Sequence, residues 1–315
     1  MGIEEIAEQI RSMKIRGAGE IARTAALALR DLALSYDGDD IEQFRALLQK
    51  GKEILLSTRP TAVSLWNAVH AVIKNMKNFN SVDELKSMIV KNADHFVTKS
   101  REAVRVIGEI GSRRINSGDC ILTHCNSKAA LSVIKTAHAQ GKDVEVIATE
   151  SRPWRQGLLT VRELAAHQIP TTLIIDSAVR WAMKKVDLVI VGADTVASNG
   201  AVINKIGTSQ IALIAEEARV PFVVCAETYK FSPRTLFGEL VEIEERDAGE
   251  IVNRNEIPDN VKVLNPVFDA TPPEYIDSIV TELGLISPYA AYEIIVRELG
   301  EEFIFEKGGE WNGVF

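Results

Sequence analysis

The sequence predicts an α/β protein: a helical N-terminal domain followed by a Rossmann-like domain with an open, mostly parallel sheet. Two observations predict this class. The first hundred or so residues carry apolar side chains at helical spacing, and the chain after Gly118 alternates short β-rich runs with longer helical stretches. With 315 residues, 46% of them hydrophobic, the chain is long enough to form two domains with separate cores. We place the domains at residues 1–115 and 116–315.

Charge and composition exclude several functional classes. With 36 basic and 44 acidic residues the formal net charge is −8, which argues against a general binder of nucleic acid or anionic membranes. No apolar run reaches the ~18 residues of a membrane span, and the acidic N-terminus does not resemble a targeting peptide. Three irregularly spaced cysteines fit a reducing compartment. We therefore expect a cytoplasmic protein with no nucleic-acid and no membrane partner.

Two amphipathic stripes mark the N-terminal half. The first stripe consists of Ile3, Ile6, Ala7, Ile10 and Met13, and the second consists of Ala22, Ala25, Ala26 and Leu29. Apolar residues three or four positions apart share one face of a helix. We interpret both stripes as core-packing faces of helices.

A glycine-rich turn lies between the two stripes. Residues 17–22 match the G-x-G-x-x-G/A pattern of dinucleotide sites, but that pattern is meaningful only after a strand. An amphipathic helix precedes it here, so we expect no nicotinamide or flavin site. The turn still opens a helix directly after Arg16, and its free backbone N–H groups would suit a phosphate. A plain helix-to-helix turn explains the glycines equally well.

Short apolar runs predict the strands of the sheet. They cover residues 120–123, 144–149, 171–175, 188–191 and 222–225, and all are apolar enough to be buried on both faces. In open parallel sheets, ligands bind at the carboxyl ends of the strands. The functional side chains are therefore expected in the segments that follow the runs: 123–128, 149–153, 176–177, 192–194 and 226–230.

Cys125 is the candidate base. It ends an apolar run and precedes a predicted helix that Asn126 or Ser127 would cap. A thiol at a helix N-terminus beside Lys128 is expected to have its pKa lowered from ~8.5 toward neutrality, which favours a thiolate. The alternative interpretation of Cys125 is an inert buried thiol.

The other cysteines and histidines predict no metal centre. Cys120, Cys125 and Cys225 together with His124 do not have the spacing of a zinc site. His124 should point away from Cys125, because neighbouring strand residues face opposite sides. We interpret Cys120 and Cys225 as inert buried thiols. No G-x-x-x-x-G-K-[ST] motif occurs, so a P-loop NTPase is disfavoured.

Asp194 is the candidate acid, since it follows the run 188–191 and should lie at the ligand-binding edge of the sheet. It could also be an ordinary helix cap. The next segment contains Asn204 and Lys205 before Gly207 and a predicted helix, which forms another candidate anion site. Lys230 follows the last apolar run in the same way.

The predicted loops thus collect positive charge in an acidic protein. The cations are Arg16, Arg59, Lys128, Lys205 and Lys230. A dianionic phosphate ester would use such a set, and two phosphates would use all of it. The residues alone predict an enzyme or a sensor for a small phosphorylated metabolite, with Cys125 and Asp194 as candidate acid/base groups.

Several motifs occur together along nearly the whole chain. They are Arg16-Gly17-Ala18-Gly19, Thr58-Arg59-Pro60-Thr61-Ala62, Thr123-His124-Cys125-Asn126-Ser127-Lys128, Glu150-Ser151-Arg152-Pro153, Gly192-Ala193-Asp194, Asn199-Gly200, Asn204-Lys205-Ile206-Gly207-Thr208, Ala226-Glu227-Thr228-Tyr229-Lys230, Thr271-Pro272-Pro273-Glu274-Tyr275 and Ser287-Pro288-Tyr289. Together they resemble the sugar-phosphate isomerases related to the α, β and δ regulatory subunits of translation initiation factor 2B.

Three branches of this family compete. Methylthioribose-1-phosphate isomerases have a proline after Arg-Gly-Ala and small residues after Cys-Asn, where this chain has Gly19 and Ser127-Lys128. Regulatory subunits usually lack the cysteine and carry glutamate in place of the aspartate. The chain keeps Cys125 and Asp194, so it is most similar to the archaeal ribose-1,5-bisphosphate isomerases of nucleoside monophosphate degradation.

The resemblance implies an aldose–ketose isomerase that forms ribulose 1,5-bisphosphate. It implies that Asp194 protonates the ring oxygen and Cys125 removes the proton from C2, without a metal or redox cofactor because only protons move. Asp194 must then carry a proton near neutral pH, which burial would favour. The implied substrate-binding residues are Arg16, Gly17, Ala18, Gly19, Arg59, Ser127, Lys128, Ala129, Asn204, Lys205 and Lys230.

The resemblance also implies a homo-oligomer, because family members form dimers that assemble into hexamers, and it leaves room for a nucleotide activator. Two alternatives stay open. A regulatory protein would sense a phosphorylated metabolite without turnover, and it has no need of the pair Cys125 and Asp194. A methylthioribose-1-phosphate isomerase would want an apolar pocket for the thioether where this chain offers Lys128.

Overall fold

The computed structural model describes residues 2–300. The chain divides into two compact units, Met1–Ala103 and Val104–Phe315. The predicted α/β class is confirmed, because helices form the first unit and a mostly parallel sheet runs through the second. The domain boundary after residue 115 stays a prediction, and residues 301–315 of the predicted second domain lie outside the described residues.

Helices form the first unit around one apolar core. They are α1 (Ile3–Arg11), α2 (Ala18–Leu34), α3 (Ile41–Leu56), α4 (Val63–Ile73) and the first part of α5 (Val82–Gly111), which ends in the second unit. Both predicted stripes are buried, except that Met13 lies beyond α1 and is half-buried. Asp40 caps α3 by accepting hydrogen bonds from the N–H groups of Glu42 and Gln43 at 2.9 and 3.1 Å, and these bonds lower the pKa of its carboxyl.

A seven-stranded sheet forms the centre of the second unit, in the order β10-β9-β7-β4-β1-β2-β3. Its strands are β1 (Cys120–Thr123), β2 (Glu145–Thr149), β3 (Thr171–Ile174), β4 (Leu188–Gly192), β7 (Phe222–Cys225), β9 (Ser278–Thr281) and β10 (Gly284–Ile286). All neighbours pair in parallel except β9 and β10. A second, antiparallel sheet contains β5 (Thr195–Val196), β6 (Val202–Lys205) and β8 (Phe268–Thr271).

Helices cover both faces of the large sheet and join its strands. They are α6 (Lys128–Ala139), α7 (Gly157–Ala166), α8 (Val179–Ala182), α9 (Thr208–Ala218) and α10 (Ala291–Ile295). Neighbouring residues of one strand enter different cores: Val189 and Val191 pack with α9 residues, whereas Ile190 packs with α6 residues. This alternation follows from the two-residue period of a strand. It explains why the central strands are apolar on both faces.

The sequence prediction fails at the edges of the sheet. We predicted that the run 171–175 is buried on both faces, but β3 is an edge strand in which Leu173 is exposed, and Ile175 beyond it is exposed too. The prediction also omitted the small sheet and β9 and β10. Among the helices within residues 2–300, none combines the length and hydrophobicity of a membrane span.

Replacing Gly157 should destabilise the second unit, because α7 begins directly against the end of β2. A Cβ at this position would overlap the carbonyl oxygen of Thr149. We expect Gly157→Ala to lower the free energy of unfolding by about 3 kcal/mol. At roughly 2–4 °C per kcal/mol, this lowers Tm by roughly 6–12 °C.

Gly141→Ala is the matched control, because its Cβ would meet no atom within 4 Å although φ is +84°. A left-handed alanine costs about 1 kcal/mol. Differential scanning calorimetry of both variants checks the prediction, and equal losses in Tm would contradict it.

Candidate active site

The strand order places the candidate acid and base at the carboxyl ends of the neighbouring strands β1 and β4, and we call this edge of the sheet the crevice. From β1 the sheet continues through β2 and β3 on one side, and the chain then crosses to β4 on the other side. Ligands bind in open α/β sheets at such a switch point, outside the carboxyl ends of the strands. Cys125 follows β1 and Asp194 follows β4. The Asp194 carboxylate acts on the pKa of Cys125, so the two groups lie within electrostatic range.

The N-terminus of α6 opens into this crevice. Ser127 is the N-cap, as predicted, and its Oγ accepts the N–H of Ala130 at 3.3 Å. A Cβ at Gly192 would overlap the Ser127 side chain, so only glycine lets the end of β4 approach α6 this closely. The first helical N–H groups, on Lys128 and Ala129, have no partner within the helix, as at any N-terminus. They can bind an anion there.

The pKa of the Cys125 thiol is raised to about 11, so the prediction of a lowered pKa is wrong. Loss of hydration has the largest effect, because the half-buried Cys125 is largely surrounded by protein and a thiolate there loses solvating water. Lys205 lowers this pKa, Asp194 raises it, and the backbone N–H of Asn126 lowers it by hydrogen bonding to the sulfur. The helix terminus and Lys128 predict a lowered pKa, but the burial of the thiol is not visible in the sequence.

Lys205 supplies the positive charge of the crevice. It ends β6 in the small sheet and is only 8% exposed. Its Nζ lies 5.0 Å from the centre of the Phe268 ring, and no carboxylate of residues 2–300 lies within ion-pair distance of it. A buried ammonium without a counter-charge is costly unless a ligand supplies one. Lys205 is therefore suited to bind an anion.

The start of α9 is already occupied by a carboxylate. Asp269 accepts hydrogen bonds from the N–H groups of Gly207 at 2.8 Å and Ser209 at 3.2 Å. Burial raises the pKa of Asp269 to about 6, although these hydrogen bonds lower it. Asp269 therefore takes two of the backbone donors that we predicted for a bound anion at this helix terminus, and the contribution of Asn204 and Lys205 stays a prediction. The nearby Asn204 donates to Thr208 Oγ1 at 3.0 Å.

Two other predicted cations have carboxylate partners. Lys128, whose side chain is 65% exposed, binds Glu163 at 2.8 Å. Lys230 is buried and binds the buried Glu227 at 2.7 Å. Burial raises the pKa of Glu227, but Lys230 and the hydrogen bonds from Tyr229 and the backbone together offset it, so the pKa lies below its usual value. Each of these two lysines therefore has a carboxylate partner that the sequence did not predict.

The first unit brings its own predicted residues together. Gly17 is the N-cap of α2 with φ +88°, so α2 begins with the predicted glycine turn. Ser64 Oγ donates to the carbonyl of Ala18 at 3.1 Å, which joins this turn to α4. Arg59 is half-buried and its guanidinium lies 3.4 Å from Met13 Sδ, while Arg16 is exposed. The turn and the Arg59 loop are therefore neighbours within this unit.

Sequence reasoning missed the residues that hold Cys125 in place. Its backbone N–H donates to Ser151 Oγ at 2.8 Å, and Thr160 Oγ1 donates to its carbonyl at 2.6 Å. Asp176 accepts the N–H of Ser151 at 2.8 Å. Ser151 and Asp176 did lie in the predicted strand-end segments, but no role was assigned to them. Thr160 lies inside α7, where nothing in the sequence points to it.

Alkylation of Cys125 by iodoacetamide should rise with pH, because only the thiolate reacts and the pKa of this thiol is about 11. We expect a rate that rises about tenfold per pH unit between about pH 7 and pH 10. Lys205→Met should slow the reaction at a fixed pH, since it removes the cation that lowers this pKa.

Lys184→Met, at an exposed lysine on another surface, is the control and should leave the rate unchanged. Mass spectrometry of the peptides distinguishes alkylation at Cys125 from alkylation at Cys120 and Cys225. A rate that does not change with pH, or that Lys205→Met increases, would show that the electrostatic account is wrong.

The comparisons with known proteins agree with the motifs. Residues 14–288 match the model of the initiation factor 2 subunit family. The chain is 55% identical over 303 residues to the ribose 1,5-bisphosphate isomerase of Archaeoglobus fulgidus, covering 96% of this chain and 95% of that protein. It is 41% identical over 300 residues to the methylthioribose-1-phosphate isomerase of Acetivibrio thermocellus, covering 90% and 88%.

A solved structure shows the same fold. The translation initiation factor eIF-2B of Pyrococcus horikoshii OT3 superposes with a TM-score of 0.79 at 32% identity, covering 91% of this chain and 97% of that one. The family resemblance of the motifs is confirmed, and the chain belongs to the initiation factor 2 subunit family.

Proposed function

We propose that the chain is an aldose–ketose isomerase that converts ribose 1,5-bisphosphate to ribulose 1,5-bisphosphate. The observation that carries this proposal lies at the carboxyl ends of β1 and β4, where Cys125 is within electrostatic range of Asp194 and of the buried Lys205, which has no carboxylate partner among residues 2–300. The relatives named ribose 1,5-bisphosphate isomerase support the same substrate. A role in nucleoside monophosphate degradation, a nucleotide activator and a homohexamer in the cytoplasm belong to the same proposal.

The proposed reaction begins with ring opening. Phosphate blocks the anomeric oxygen of this substrate, so the bond between C1 and the ring oxygen must break, and Asp194 gives the ring oxygen its proton. The Cys125 thiolate takes the proton from C2, which leaves an enol between C1 and C2. Cys125 returns the proton to C1, while the C2 hydroxyl gives its own proton to the Asp194 carboxylate and becomes the carbonyl of the ketose. Only protons move, so the scheme needs no metal or redox cofactor.

The raised pKa of Cys125 gives Lys205 a role in the proposed chemistry. With a pKa of about 11, little of this thiol is ionised at neutral pH, whereas a general base is most effective when its pKa lies near the working pH. Lys205 favours this thiolate electrostatically. We therefore assign Lys205 two effects in the crevice: it attracts the anionic substrate, and it makes the base more available.

The substrate-binding residues that we propose lie in both units. Those of the second unit are Ser127, Lys128 and Ala129 at the N-terminus of α6, together with Asn204, Lys205 and Lys230. Those of the first unit are Arg16, Gly17, Ala18, Gly19 and Arg59. Lys230 would share its ammonium between Glu227 and the substrate, which its three donors allow.

A second candidate function is methylthioribose-1-phosphate isomerase activity. We expected Lys128 to exclude a substrate with an apolar thioether, but its ammonium binds Glu163 and is mostly exposed. The charge of Lys128 therefore does not separate the two substrates. A regulatory protein without turnover is less well supported, because it would not need the pair Cys125 and Asp194.

Turnover of ribose 1,5-bisphosphate by the purified protein should produce the ketose, which NMR detects directly. Cys125→Ser and Asp194→Asn should each lower kcat by about 10²–10⁴-fold, the usual contribution of an acid or base. Both variants should keep substrate affinity in calorimetric titration, because neither removes a cation.

Cys120→Ser is the matched control. Cys120 lies at the opposite end of β1, and we expect its variant to retain activity. Turnover of methylthioribose 1-phosphate alone would replace the proposal with the second candidate. Substrate binding without turnover of either sugar would favour the regulatory function.

A further inference from the structure

The motif Glu150-Ser151-Arg152-Pro153 has no role in the proposed chemistry, yet it lies directly against Cys125. Ser151 is fully buried and adopts φ +59°. Asp176 fixes this loop, because its two carboxylate oxygens accept the N–H groups of Ser151 and Arg152, both at 2.8 Å. The loop therefore presents the Ser151 hydroxyl in a defined position.

Cys125 adopts a backbone conformation that needs support. Its φ is +66°, in the left-handed region that costs a residue with a Cβ conformational energy. Both ends of this residue are held by buried hydroxyls: Ser151 Oγ accepts its N–H at 2.8 Å, and Thr160 Oγ1 donates to its carbonyl at 2.6 Å. We call these two side chains, Ser151 and Thr160, the Cys125 clamp.

A hydrogen-bonded chain orients the Ser151 hydroxyl. His124 is buried, which lowers its pKa and keeps it neutral, and its Nε2 donates to the carbonyl of Ile206 at 2.9 Å. Its Nδ1 is then an acceptor, which the Thr149 hydroxyl reaches at 2.5 Å. Ser151 Oγ lies 3.3 Å from both Thr149 Oγ1 and His124 Nδ1, and either atom can accept its proton. A lone pair of Ser151 Oγ remains for the N–H of Cys125.

The same chain connects Cys125 to the segment that carries Lys205. Ile206 follows Lys205 directly, and Gly207 packs against the His124 ring, where a Cβ would lie 3.4 Å from the imidazole. His124 therefore joins the ends of β1, β2 and β6. This arrangement fixes the position of the Cys125 loop relative to the cation that lowers the thiol pKa.

We propose that Ser151 and Thr160 are positioning residues of the isomerisation: they hold Cys125 in its left-handed conformation, so that the sulfur meets the Asn126 N–H and the field of Lys205. This inference rests on the proposed function, in which the Cys125 thiolate is the base. Neither hydroxyl is assigned a contact with substrate. Thr160 also accepts the Asn126 side-chain amide at 3.0 Å, so it supports both residues of the loop.

Paired substitutions at Thr160 test the proposal. Thr160→Val removes the hydroxyl and keeps a similar shape, whereas Thr160→Ser keeps the hydroxyl. We expect Thr160→Val and Ser151→Ala to lower kcat by about 10- to 100-fold, the effect of a small misplacement of a catalytic group. KM should change less than about threefold, since ground-state binding is retained. Thr160→Ser should restore kcat to within about threefold of the unaltered protein.

Thr171→Val is the matched control at the other end of the sheet. Thr171 Oγ1 also donates to a backbone carbonyl, that of Ile169, at 2.9 Å. This variant also loses a bond from a threonine hydroxyl to a backbone carbonyl, but one that does not involve Cys125, and its kcat should be unchanged. If Thr171→Val lowers kcat as much as Thr160→Val does, the effect is general destabilisation and the proposal is overturned.

Alkylation of Cys125 separates this proposal from the proposed function, because it needs no substrate. At a fixed pH, Thr160→Val and Ser151→Ala should slow iodoacetamide alkylation of Cys125 at least about threefold, because the displaced sulfur loses its thiolate-stabilising contacts. Cys120 serves as the internal reference. Unchanged or faster alkylation of Cys125 would overturn the clamp, whatever the turnover assay shows. Absence of turnover with slowed alkylation would overturn the proposed function and leave the clamp supported.

Discussion

The electrostatic balance at Cys125 is the constraint on which the site depends. Burial opposes ionisation of this thiol, and Lys205 favours it. Lys205 can act in this way only because no carboxylate of residues 2–300 neutralises it. The two groups come from different sheets, since Cys125 follows β1 of the large sheet and Lys205 ends β6 of the small one. The small antiparallel sheet therefore has a function: it delivers one cation to the crevice beside the switch point.

The sequence predicts the centre of the fold well because burial on both faces leaves a clear pattern. The apolar runs at 120–123 and 222–225 coincide with β1 and β7, and polar residues follow the carboxyl ends of both strands. The edge strand β3 is not buried on both faces, because it pairs with a strand on one side only. The sequence did not predict β6 for another reason: two of its four residues are the polar Asn204 and Lys205, although both are buried in the folded protein.

The sequence predicts which residue types lie in the candidate site. It does not predict which of the charged side chains have a partner of opposite charge. A lysine after a strand indicates a cation, and the sequence cannot show whether a carboxylate lies beside it. Glu163 binds Lys128 from another helix, and Glu227 binds Lys230 from the same loop, so Lys205 alone among these three is unpaired within the described chain. The pKa of Cys125 could not be predicted for a similar reason, since burial is a tertiary property.

The Asp269 carboxylate at the start of α9 makes the two helix termini of this edge unequal. One terminus is closed by an internal acid, and the other, at α6, keeps its leading amides available. The N-terminus of α6 is therefore the more favourable of these two helix termini for a bound anion. At α9 the same kind of donors instead anchor the helix to β8, the strand that carries Asp269.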